Sequence, residues 1–566
     1  MNKEPHRLHL ILVSLAVLLV HLCGTAVLAR QPDERATQVD ALFAELGRSP
    51  SPGVALVVVR DGKMILRRGY GLASIEHRVP ISPSTVFDVA SVSKQFTGLA
   101  VAMLVSQGKI KLSDDITTYI PELTGLGHRV TVAHLLHHTS GIRDWPGTLI
   151  VGGWRFDDAI TFNQILTMAY NQRDLMFVPG SEYSYSNTNY NLLAEMIRRV
   201  TGNRFREWTD KQLFGPLGMT NTHFREHYTE VIPNRAYGYA RGSDGNYHHM
   251  PNNLTALGSS SLFSTVEDFA LWMINLDEAR VGGRTAMTLA RTRGTLNDGT
   301  TTVYAFGLIH GDRGGLPMLF HDGAWAGFSS LIVYFPEQKF GIAALSNGGP
   351  INVGDAVNKI AEIYLENELA RAKDSVKAKP EVGPPVNVPR HVLGEYLGLY
   401  RFGPGSYMRI RLDGATLMAE ATREKPLALS PISQREFSIA GPGDARILFQ
   451  RGTAEKVEYL EYRGRRALKV DEASAPHPVQ VGEYVGDYES EELGALYRVA
   501  AKGGALEMRH PRHGVIALSR LWRDDFGSSA PFMLSIEFQR DREGRVVGFV
   551  VNGNPRSRNL RFQKRR

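Results

Sequence analysis

Hydrophobic and polar positions near the N-terminus predict a helix followed by a hairpin. Residues 36–47 place apolar side chains at helical spacing, and residues 53–59 form an apolar, β-branched run. Asp61-Gly62 is a strong turn signal, so residues 64–70 are predicted to return as the second strand of the hairpin. The chain is therefore predicted to begin as helix, strand, strand.

The middle of the chain has a different pattern. A long apolar helix is predicted between residues 91 and 108, and short helical patterns alternate with turn-rich pieces between residues 112 and 250. A further helix is predicted over residues 353–371. It is preceded by three returning strand patterns, at 319–321, 329–335 and 340–346. We predict an α+β fold: one antiparallel sheet of about five strands, with the terminal helices on one face and a helical insertion on the other.

The C-terminal third lacks helical periodicity and is predicted to be β-structure. A charged, proline-containing linker is predicted at residues 373–390. The stretch at 394–400 returns in related form at 482–488, which is 88 positions later. We therefore predict two small antiparallel β-barrel modules, at 391–475 and 476–566; one larger barrel made from both halves is the alternative.

The N-terminus is typical of a secretory signal peptide. Lys3 and Arg7 form a basic start, residues 8–20 are apolar, and small residues precede a predicted cleavage that removes residues 1–29. The protein is therefore predicted to be periplasmic or secreted, with an uncleaved inner-membrane anchor as the alternative. The single cysteine, Cys23, lies in this segment, so no disulfide or cysteine metal site is predicted in the mature chain.

Composition and charge exclude some classes of function. The chain of 566 residues is 43% hydrophobic and 22% charged, which is typical of folded domains. The net charge of +7 is mild, and without a basic stripe no nucleic acid partner is predicted. The paired histidines at 137–138 and 248–249 have no carboxylate cluster beside them, so packing is preferred to metal binding and no cofactor is predicted.

Candidate chemistry begins with Ser91 and Lys94, three residues apart at the start of the predicted long helix. On a helix these positions share a face, so a hydroxyl and an amine can meet. A serine is a poor nucleophile until a base takes its proton, and a buried lysine can be that base because desolvation lowers its pKa. The pair alone is weak evidence, since a surface pair has the same spacing.

Two further motifs give the pair its meaning: Tyr-Ser-Asn at 185–187 and His-Asp-Gly at 321–323. In this order and spacing the three motifs resemble those of the serine β-lactamase and penicillin-binding protein superfamily, over about residues 35–370. The tyrosine of the second motif resembles the class C β-lactamase branch, with its D-alanyl-D-alanine carboxypeptidases, esterases and D-aminopeptidases. The resemblance implies a serine hydrolase domain at 33–372. Two barrels after such a domain resemble the D-aminopeptidase architecture.

The resemblance implies roles for individual residues. Ser91 is the implied nucleophile, and Lys94 and Tyr185 the implied proton-transfer groups. Tyr185 is predicted as general base because a neighbouring cation would lower the pKa of its phenol, although which of the two takes the first proton is left open. Substrate binding is implied for Asn187, His321, Asp322 and Gly323, and an oxyanion hole for the backbone N–H groups of Ser91 and Ala324.

The third motif departs from that of most β-lactamases. His321 stands where lysine is usual, and Asp322 stands where many members have threonine. Because a carboxylate repels another carboxylate, we expect a substrate that lacks a free carboxylate at this point or offers an amine there. Gly323 is expected to let the strand approach the substrate closely. If His321 must be neutral, activity is expected to fall below about pH 6–7.

The predicted function is that of an exported serine hydrolase acting through an acyl-enzyme on small amides, on peptides with D-residues or on esters. The enzymatic alternative is an esterase, a β-lactamase or a penicillin-binding carboxypeptidase. The alternative of another class is a non-catalytic cell-wall binding protein, against which the complete set of Ser91, Lys94 and Tyr185 argues. Peptidoglycan is a candidate partner, and membrane contact is expected only through an uncleaved N-terminal segment. The D-aminopeptidase resemblance also implies a barrel loop that reaches the site, with residues 503–504 or 509–513 as candidates.

Overall fold

The computed structural model describes residues 34–48, 50–375, 386–403, 405–422, 424–439, 445–452, 456–463, 465–471, 480–552 and 554–565. The predicted signal peptide and the central part of the predicted linker lie outside these residues. Within them, no helix combines the length and the apolar character that a membrane span requires.

The chain up to residue 375 alternates helices with strands of very different length. Its helices are α1 (Glu34–Leu42), α2 (Lys94–Ser106), α3 (Val132–Leu136), α4 (Trp145–Val151), α5 (Phe162–Asn171), α6 (Asn187–Thr201), α7 (Phe205–Thr209), α8 (Gly215–Leu217), α9 (Val266–Glu278), α10 (Gly283–Ala290), α11 (Val353–Tyr364) and α12 (Glu366–Ser375). Its strands are β1 (Val54–Arg60), β2 (Lys63–Tyr70), β3 (Leu72–Ser74), β4 (Val79–Pro80), β5 (Phe87–Asp88), β6 (His223–Phe224), β7 (Tyr239–Arg241), β8 (Tyr247–His249), β9 (Leu262–Ser264), β10 (Ile309–Arg313), β11 (Leu316–Trp325), β12 (Phe328–Phe335) and β13 (Phe340–Ser346).

The main sheet is antiparallel and has the strand order β10-β11-β12-β13-β1-β2. Strands from the two ends of this region therefore meet in one sheet, with Val54 opposite Ser346, and the predicted fold class is confirmed. The sheet has six strands rather than about five. The additional strand is β10, a partly exposed edge strand whose His-Gly-Asp centre has no apolar alternation.

Both faces of the sheet are buried, which explains why its central strands are apolar at successive positions. In β1, Val54 and Leu56 pack with α1 and α11, whereas Ala55 and Val57 pack with α2 and the helical insertion. The predicted arrangement of layers is confirmed. The predicted helix at 353–371 is instead two helices, α11 and α12, which meet at the fully buried Leu365.

The C-terminal region forms two closed antiparallel barrels of eight strands each, so the single larger barrel is wrong. A short helix, α13 (Arg390–Glu395), precedes the first barrel. That barrel consists of β14 (Gly398–Gly403), β15 (Ser406–Asp413), β16 (Thr416–Ala421), β17 (Leu427–Pro431), β18 (Glu436–Ile439), β19 (Arg446–Arg451), β20 (Val457–Tyr462) and β21 (Arg465–Val470). The second consists of β22 (Gly486–Ser490), β23 (Ala495–Lys502), β24 (Ala505–His510), β25 (Gly514–Trp522), β26 (Asp525–Ser528), β27 (Ser535–Arg540), β28 (Val546–Val551) and β29 (Leu560–Lys564).

The sequence repeat corresponds to the same buried tyrosine pair in each barrel. Tyr400 donates its hydroxyl to the carbonyl of Tyr396 at 2.8 Å, and Tyr488 donates to the carbonyl of Tyr484 at 2.7 Å. All four rings are at most 1% exposed. The repeat therefore reflects the way in which the chain enters each barrel and fills its interior. It does not indicate a binding motif.

The second barrel packs directly against α4 of the N-terminal region. Tyr497 donates a hydrogen bond to the carbonyl of Val151 at 2.9 Å, and Val151 belongs to the core of this barrel. A side chain at Gly147 would lie 2.6 Å from Asn554 Nδ2, so glycine permits the close contact. The contact brings the described part of the β28–β29 loop, residues 552 and 554–559, towards the nucleophile motif.

Candidate active site

Ser91 lies in a strained turn between β5 and α2. A 3₁₀ turn over Ala90–Ser93 runs directly into the helix, and Ala90 has a φ of 46°. Asp88 stabilises this left-handed conformation, because its carboxylate accepts a hydrogen bond from the Ala90 N–H at 2.7 Å. Asn252 donates to the other carboxylate oxygen at 2.7 Å. A strained backbone held by a buried carboxylate is typical of a functional position.

Lys94 is fully buried at the first turn of α2. Its Nζ lies 3.0 Å from Ser91 Oγ, 2.8 Å from Asn187 Oδ1 and 2.7 Å from the carbonyl of Ser259. Burial lowers the pKa of Lys94 to about 7, with Asp144 raising it and Arg556 lowering it further. A substantial fraction of the amine is therefore neutral near pH 7 and can accept a proton.

Asn187 bridges Lys94 to a buried carboxylate, Asp144. The Asn187 side chain donates to Asp144 Oδ1 at 3.0 Å, and the Asn187 backbone N–H donates to the same atom at 2.8 Å. Burial raises the pKa of Asp144 to about 6, against the hydrogen bonds from Asn187. Asn187 thus holds the Lys94 amine in place, and its predicted contact with a substrate amide stays a prediction.

Tyr185 lies beside both Ser91 and Lys94, as the motifs predicted. Its ring centroid is 5.0 Å from Lys94 Nζ and 4.4 Å from the ring centroid of His138. The predicted lowering of its pKa is wrong: desolvation raises the pKa of Tyr185, and the hydrogen bond with Ser91 offsets only part of this. Desolvation of the phenolate outweighs the nearby charges, which favours the protonated phenol. Which of Lys94 and Tyr185 takes the first proton stays open.

His321 is 2% exposed and faces the same cluster. Its Nδ1 lies 2.6 Å from the Asp322 carbonyl, so Nδ1–H is the donor and Nε2 accepts from the Tyr304 hydroxyl at 2.9 Å. Burial, and then Lys94, lower the pKa of His321 well below its usual range. The expectation that His321 titrates at pH 6–7 is therefore wrong, because the ring stays neutral to lower pH.

Gly323 lies against the nucleophile turn. A side chain there would clash with the Val89 carbonyl oxygen and would lie 3.0 Å from Ser91 N. The glycine therefore lets β11 approach the Ser91 turn; its expected close approach to the substrate stays a prediction.

The end of β11 leaves backbone groups for a ligand. β10 pairs with β11 only as far as Phe320, so the remaining part of β11 has no strand on that edge in the part of the chain that the structure describes. Asp322 and Ala324 are exposed there. Asp322 is close enough to raise the pKa of Lys94. The oxyanion hole of Ser91 N–H and Ala324 N–H stays a prediction that this geometry accommodates.

The barrel loop that reaches the site is the β28–β29 loop, so both candidate segments are wrong. Arg556 of this loop places its guanidinium carbon 4.8 Å from the centroid of the Tyr185 ring. Residues 509–513 contact the outer side of α4 instead, where His513 Nε2 lies 2.7 Å from the Ile150 carbonyl. A side chain at Gly503 or Gly504 would meet nothing within 4 Å.

Sequence reasoning missed four residues of the site: Asp144, Ser259, Tyr304 and Arg556. Asp144 follows the His-Thr-Ser-Gly stretch at 138–141, which was the available signal. Ser259 acts through a backbone carbonyl, and Arg556 comes from another domain, so neither leaves a local pattern. Among the described residues, no three histidine, cysteine or acidic side chains gather in a potential metal site.

Two curated proteins are similar in sequence to this chain. The chain is 27% identical over 316 residues to a D-aminopeptidase of Gluconobacter oxydans (strain 621H), covering 56% of this chain and 59% of that protein. It is 29% identical over 332 residues to protein flp of Staphylococcus aureus (strain N315), covering 56% of this chain and 64% of that protein. The chain thus spans less than two thirds of the length of either curated relative.

A solved structure shows the same fold over more of the chain. The octameric penicillin-binding protein homologue from Pyrococcus abyssi matches with a TM-score of 0.52 and 21% identity, covering 85% of this chain and 99% of that one. The Beta-lactamase family matches residues 39–365, which is more than half of the chain and includes Ser91, Lys94, Tyr185 and His321. The chain therefore belongs to the beta-lactamase family.

Proposed function

We propose that this protein is a serine hydrolase in which Ser91 forms an acyl-enzyme. The observation that carries the proposal is the 3.0 Å contact between Ser91 Oγ and the fully buried Nζ of Lys94. Neutral Lys94 takes the hydroxyl proton as Ser91 Oγ attacks the acyl carbon. The negative charge that develops on the acyl oxygen is stabilised by the N–H groups of Ser91 and Ala324.

The remaining steps use the same residues. When the tetrahedral intermediate collapses, the bond to the leaving group breaks, and the leaving group takes a proton from Lys94 directly or through the Tyr185 hydroxyl. Water then attacks the ester on Ser91, loses a proton to Lys94, and releases the acid while Ser91 regains its proton. Asn187 and Asp144 keep Lys94 in position throughout.

The proposed substrates are small amides, peptides with D-residues, or esters. The similarity to a D-aminopeptidase supports the first two. An exposed carboxylate at Asp322, near the nucleophile, supports an amine on the substrate at that point. Esterase or penicillin-binding carboxypeptidase activity is the second candidate. Good turnover of acyl-D-Ala-D-Ala, with none of D-amino amides or esters, would contradict the proposed substrate class.

We further propose that the enzyme works in the periplasm or outside the cell. The basic and apolar N-terminal sequence supports this location. Peptidoglycan fragments, which contain D-residues, are the proposed source of substrate. Fractionation of cells that produce the full chain tests the location: the protein is expected outside the cytoplasm, without residues 1–29 if the signal is cleaved.

Detection of the acyl-enzyme tests the proposed reaction. The wild-type protein, mixed with a fluorescent penicillin or an activated p-nitrophenyl ester, is expected to gain one acyl group on Ser91, observed by labelling and intact mass. Ser91→Ala is expected to gain none. Ser93→Ala is the matched control, because Ser93 is equally close in sequence but its buried Oγ has no hydrogen-bond partner among the described residues. Equal labelling of Ser91→Ala and wild type would reject Ser91 as nucleophile.

The pH dependence of turnover follows from Lys94. Since the free amine is the proton acceptor and burial lowers its pKa to about 7, kcat/KM is expected to fall as the pH drops below about 7. Protonation of Asp144 near pH 6 acts against this decline, because it removes a negative charge that raises the pKa of Lys94. A pH profile of kcat/KM with an uncharged p-nitrophenyl ester measures this limb, because the substrate itself does not titrate in this range.

Two variants separate the groups that could cause this limb. Asp144→Asn removes a negative charge that raises the pKa of Lys94, so the limb is expected to move to lower pH. His321→Asn is expected to lower activity without moving the limb, because His321 is already neutral across this range. Disappearance of the limb in His321→Asn, or a flat wild-type profile from pH 5 to 8, would contradict the assignment to Lys94.

A further inference from the structure

Arg556 is a cation brought to the active site by a different domain. Its guanidinium lies over the Tyr185 ring at 4.8 Å, while the residue as a whole is exposed to solvent. Its charge is close enough to lower the pKa values of Lys94 and Tyr185. The guanidinium therefore lies at the solvent-exposed side of the Tyr185 ring, next to Ser91 and Lys94.

The backbone of this loop is held firmly. The Arg556 carbonyl accepts a hydrogen bond from the Asp144 N–H at 2.8 Å, and the Arg556 N–H donates to Asn554 Oδ1 at 2.9 Å. Ser557 Oγ donates to the Asp144 carbonyl at 2.9 Å. Arg143, which is fully buried, donates to the Arg558 carbonyl at 2.7 Å. The backbone of Arg556 is thus held before any ligand binds, and its side chain rests on the Tyr185 ring, which lowers the cost of binding.

The guanidinium itself has no acidic partner. In the described ranges, no carboxylate forms a salt bridge with Arg556, and its one ring contact is with Tyr185. The neighbouring Arg558, by contrast, donates to Glu182 at 2.9 Å. The nearby carboxylate of Asp144 is buried and already accepts hydrogen bonds from Asn187. A guanidinium group that is exposed, has no acidic partner and is already positioned is suited to bind a carboxylate.

We propose that Arg556 binds a carboxylate of the substrate, so that the second barrel selects anionic substrates for the active site. The proposal rests on the proposed hydrolase function. It also refines the charge pattern of the cleft: Asp322 disfavours a carboxylate at the end of β11, whereas Arg556 accepts one on the Tyr185 side. The substrate class is then a small amide or peptide with an anionic group at the Arg556 end and a neutral or cationic group near Asp322.

Isosteric substrate pairs test this charge preference in the full chain. D-glutamate and D-glutamine p-nitroanilides differ by a charge in the acyl part, and D-Ala-D-Ala and D-alanyl-D-alaninamide differ by a charge in the leaving group. In one of the two pairs, the wild-type protein is expected to hydrolyse the compound with the carboxylate with a kcat/KM about 10-fold higher than that of its amide counterpart. Most of this difference is expected in KM, because a charge-assisted hydrogen bond strengthens substrate binding. Arg556→Gln is expected to remove the preference and Arg556→Glu to reverse it.

The ratio within a pair distinguishes binding from a structural role. A loop that merely packs, or a charge that only tunes Lys94, affects both members of a pair equally. Arg558→Gln is the control variant, because it removes a neighbouring arginine that already has an acidic partner; it is expected to leave the ratio unchanged. The proposal would be overturned if, in both pairs, the ratio of the two kcat/KM values differed by less than about twofold between wild type and Arg556→Gln.

A binding measurement separates this proposal from the hydrolase function. If the wild-type protein hydrolyses none of the four compounds, the proposed function fails on these substrates, and Arg556 is then judged by calorimetry on Ser91→Ala. N-acetyl-D-glutamate is expected to bind about 10-fold more tightly than N-acetyl-D-glutamine, and to lose this advantage in the Ser91→Ala, Arg556→Gln double variant. Equal affinities for the two ligands, or no binding of either, would overturn the proposal.

Discussion

Replacing Lys94 with methionine is expected to lower kcat/KM by about 10⁴-fold, the upper end of what a positioned general base contributes. Methionine matches the length of the lysine stem and suits a fully buried position. It cannot take the Ser91 proton. It also leaves Asn187 Oδ1 and the Ser259 carbonyl without their donor, which is expected to cost about 1–3 kcal/mol of folding free energy for each unsatisfied group.

Steady-state hydrolysis of a p-nitrophenyl ester and thermal unfolding measure these two effects separately. Lys109→Met is the matched control, because Lys109 is exposed just beyond α2 and is expected to change neither quantity. If Lys94→Met kept more than about a tenth of the wild-type kcat/KM while Tyr185→Phe lost nearly all of it, the first base would be Tyr185 rather than Lys94.

Gly323→Ala is expected to lower kcat/KM by about 10²–10³-fold, the cost of losing one oxyanion-hole donor. The added methyl group would clash with the Val89 carbonyl and would lie 3.0 Å from Ser91 N. Because both of these atoms belong to the backbone of the nucleophile turn, which cannot rotate away as a side chain can, β11 must move away from Ser91. The distance between the Ser91 and Ala324 N–H groups then changes.

Gly311→Ala, in the neighbouring strand β10, is the control for adding a methyl group to this sheet. Its nearest atoms are the tips of Phe320 at 2.9 Å and Met318 at 3.0 Å, which can rotate away. Gly311→Ala is therefore expected to keep wild-type kcat/KM. Equal activity of the two variants would show that the approach of β11 to Ser91 is unimportant for catalysis.

The sequence predicted most of the fold because the decisive signals are local. Apolar runs in β1 and β13 and the Asp61-Gly62 turn specify the strands, and the tyrosine repeat specifies two barrels. The strand β10 was missed because a partly exposed edge strand needs no apolar alternation. The helix predicted at 353–371 is divided at Leu365, which is fully buried. The sequence did not predict this division, because the burial of Leu365 depends on tertiary packing.

The site was predicted where its residues form motifs and missed where they do not. The three motifs correctly brought together Ser91, Lys94, Tyr185 and His321. The direction of the Tyr185 pKa and the pH range of His321 were wrong. Both errors have one cause: a pKa depends on how much water the folded chain removes, and desolvation is larger here than the effect of nearby charges.

The sequence by itself determined the types of secondary structure, the family resemblance and the chemistry available to Ser91 and Lys94, because spacing along a helix or strand is a local property. Only the tertiary structure decided that burial lowers the pKa of Lys94 to about 7, that Gly323 lies against the nucleophile turn, and that Arg556 of the second barrel lies over Tyr185. These features arise from burial and from contacts between residues hundreds of positions apart, which no local pattern encodes.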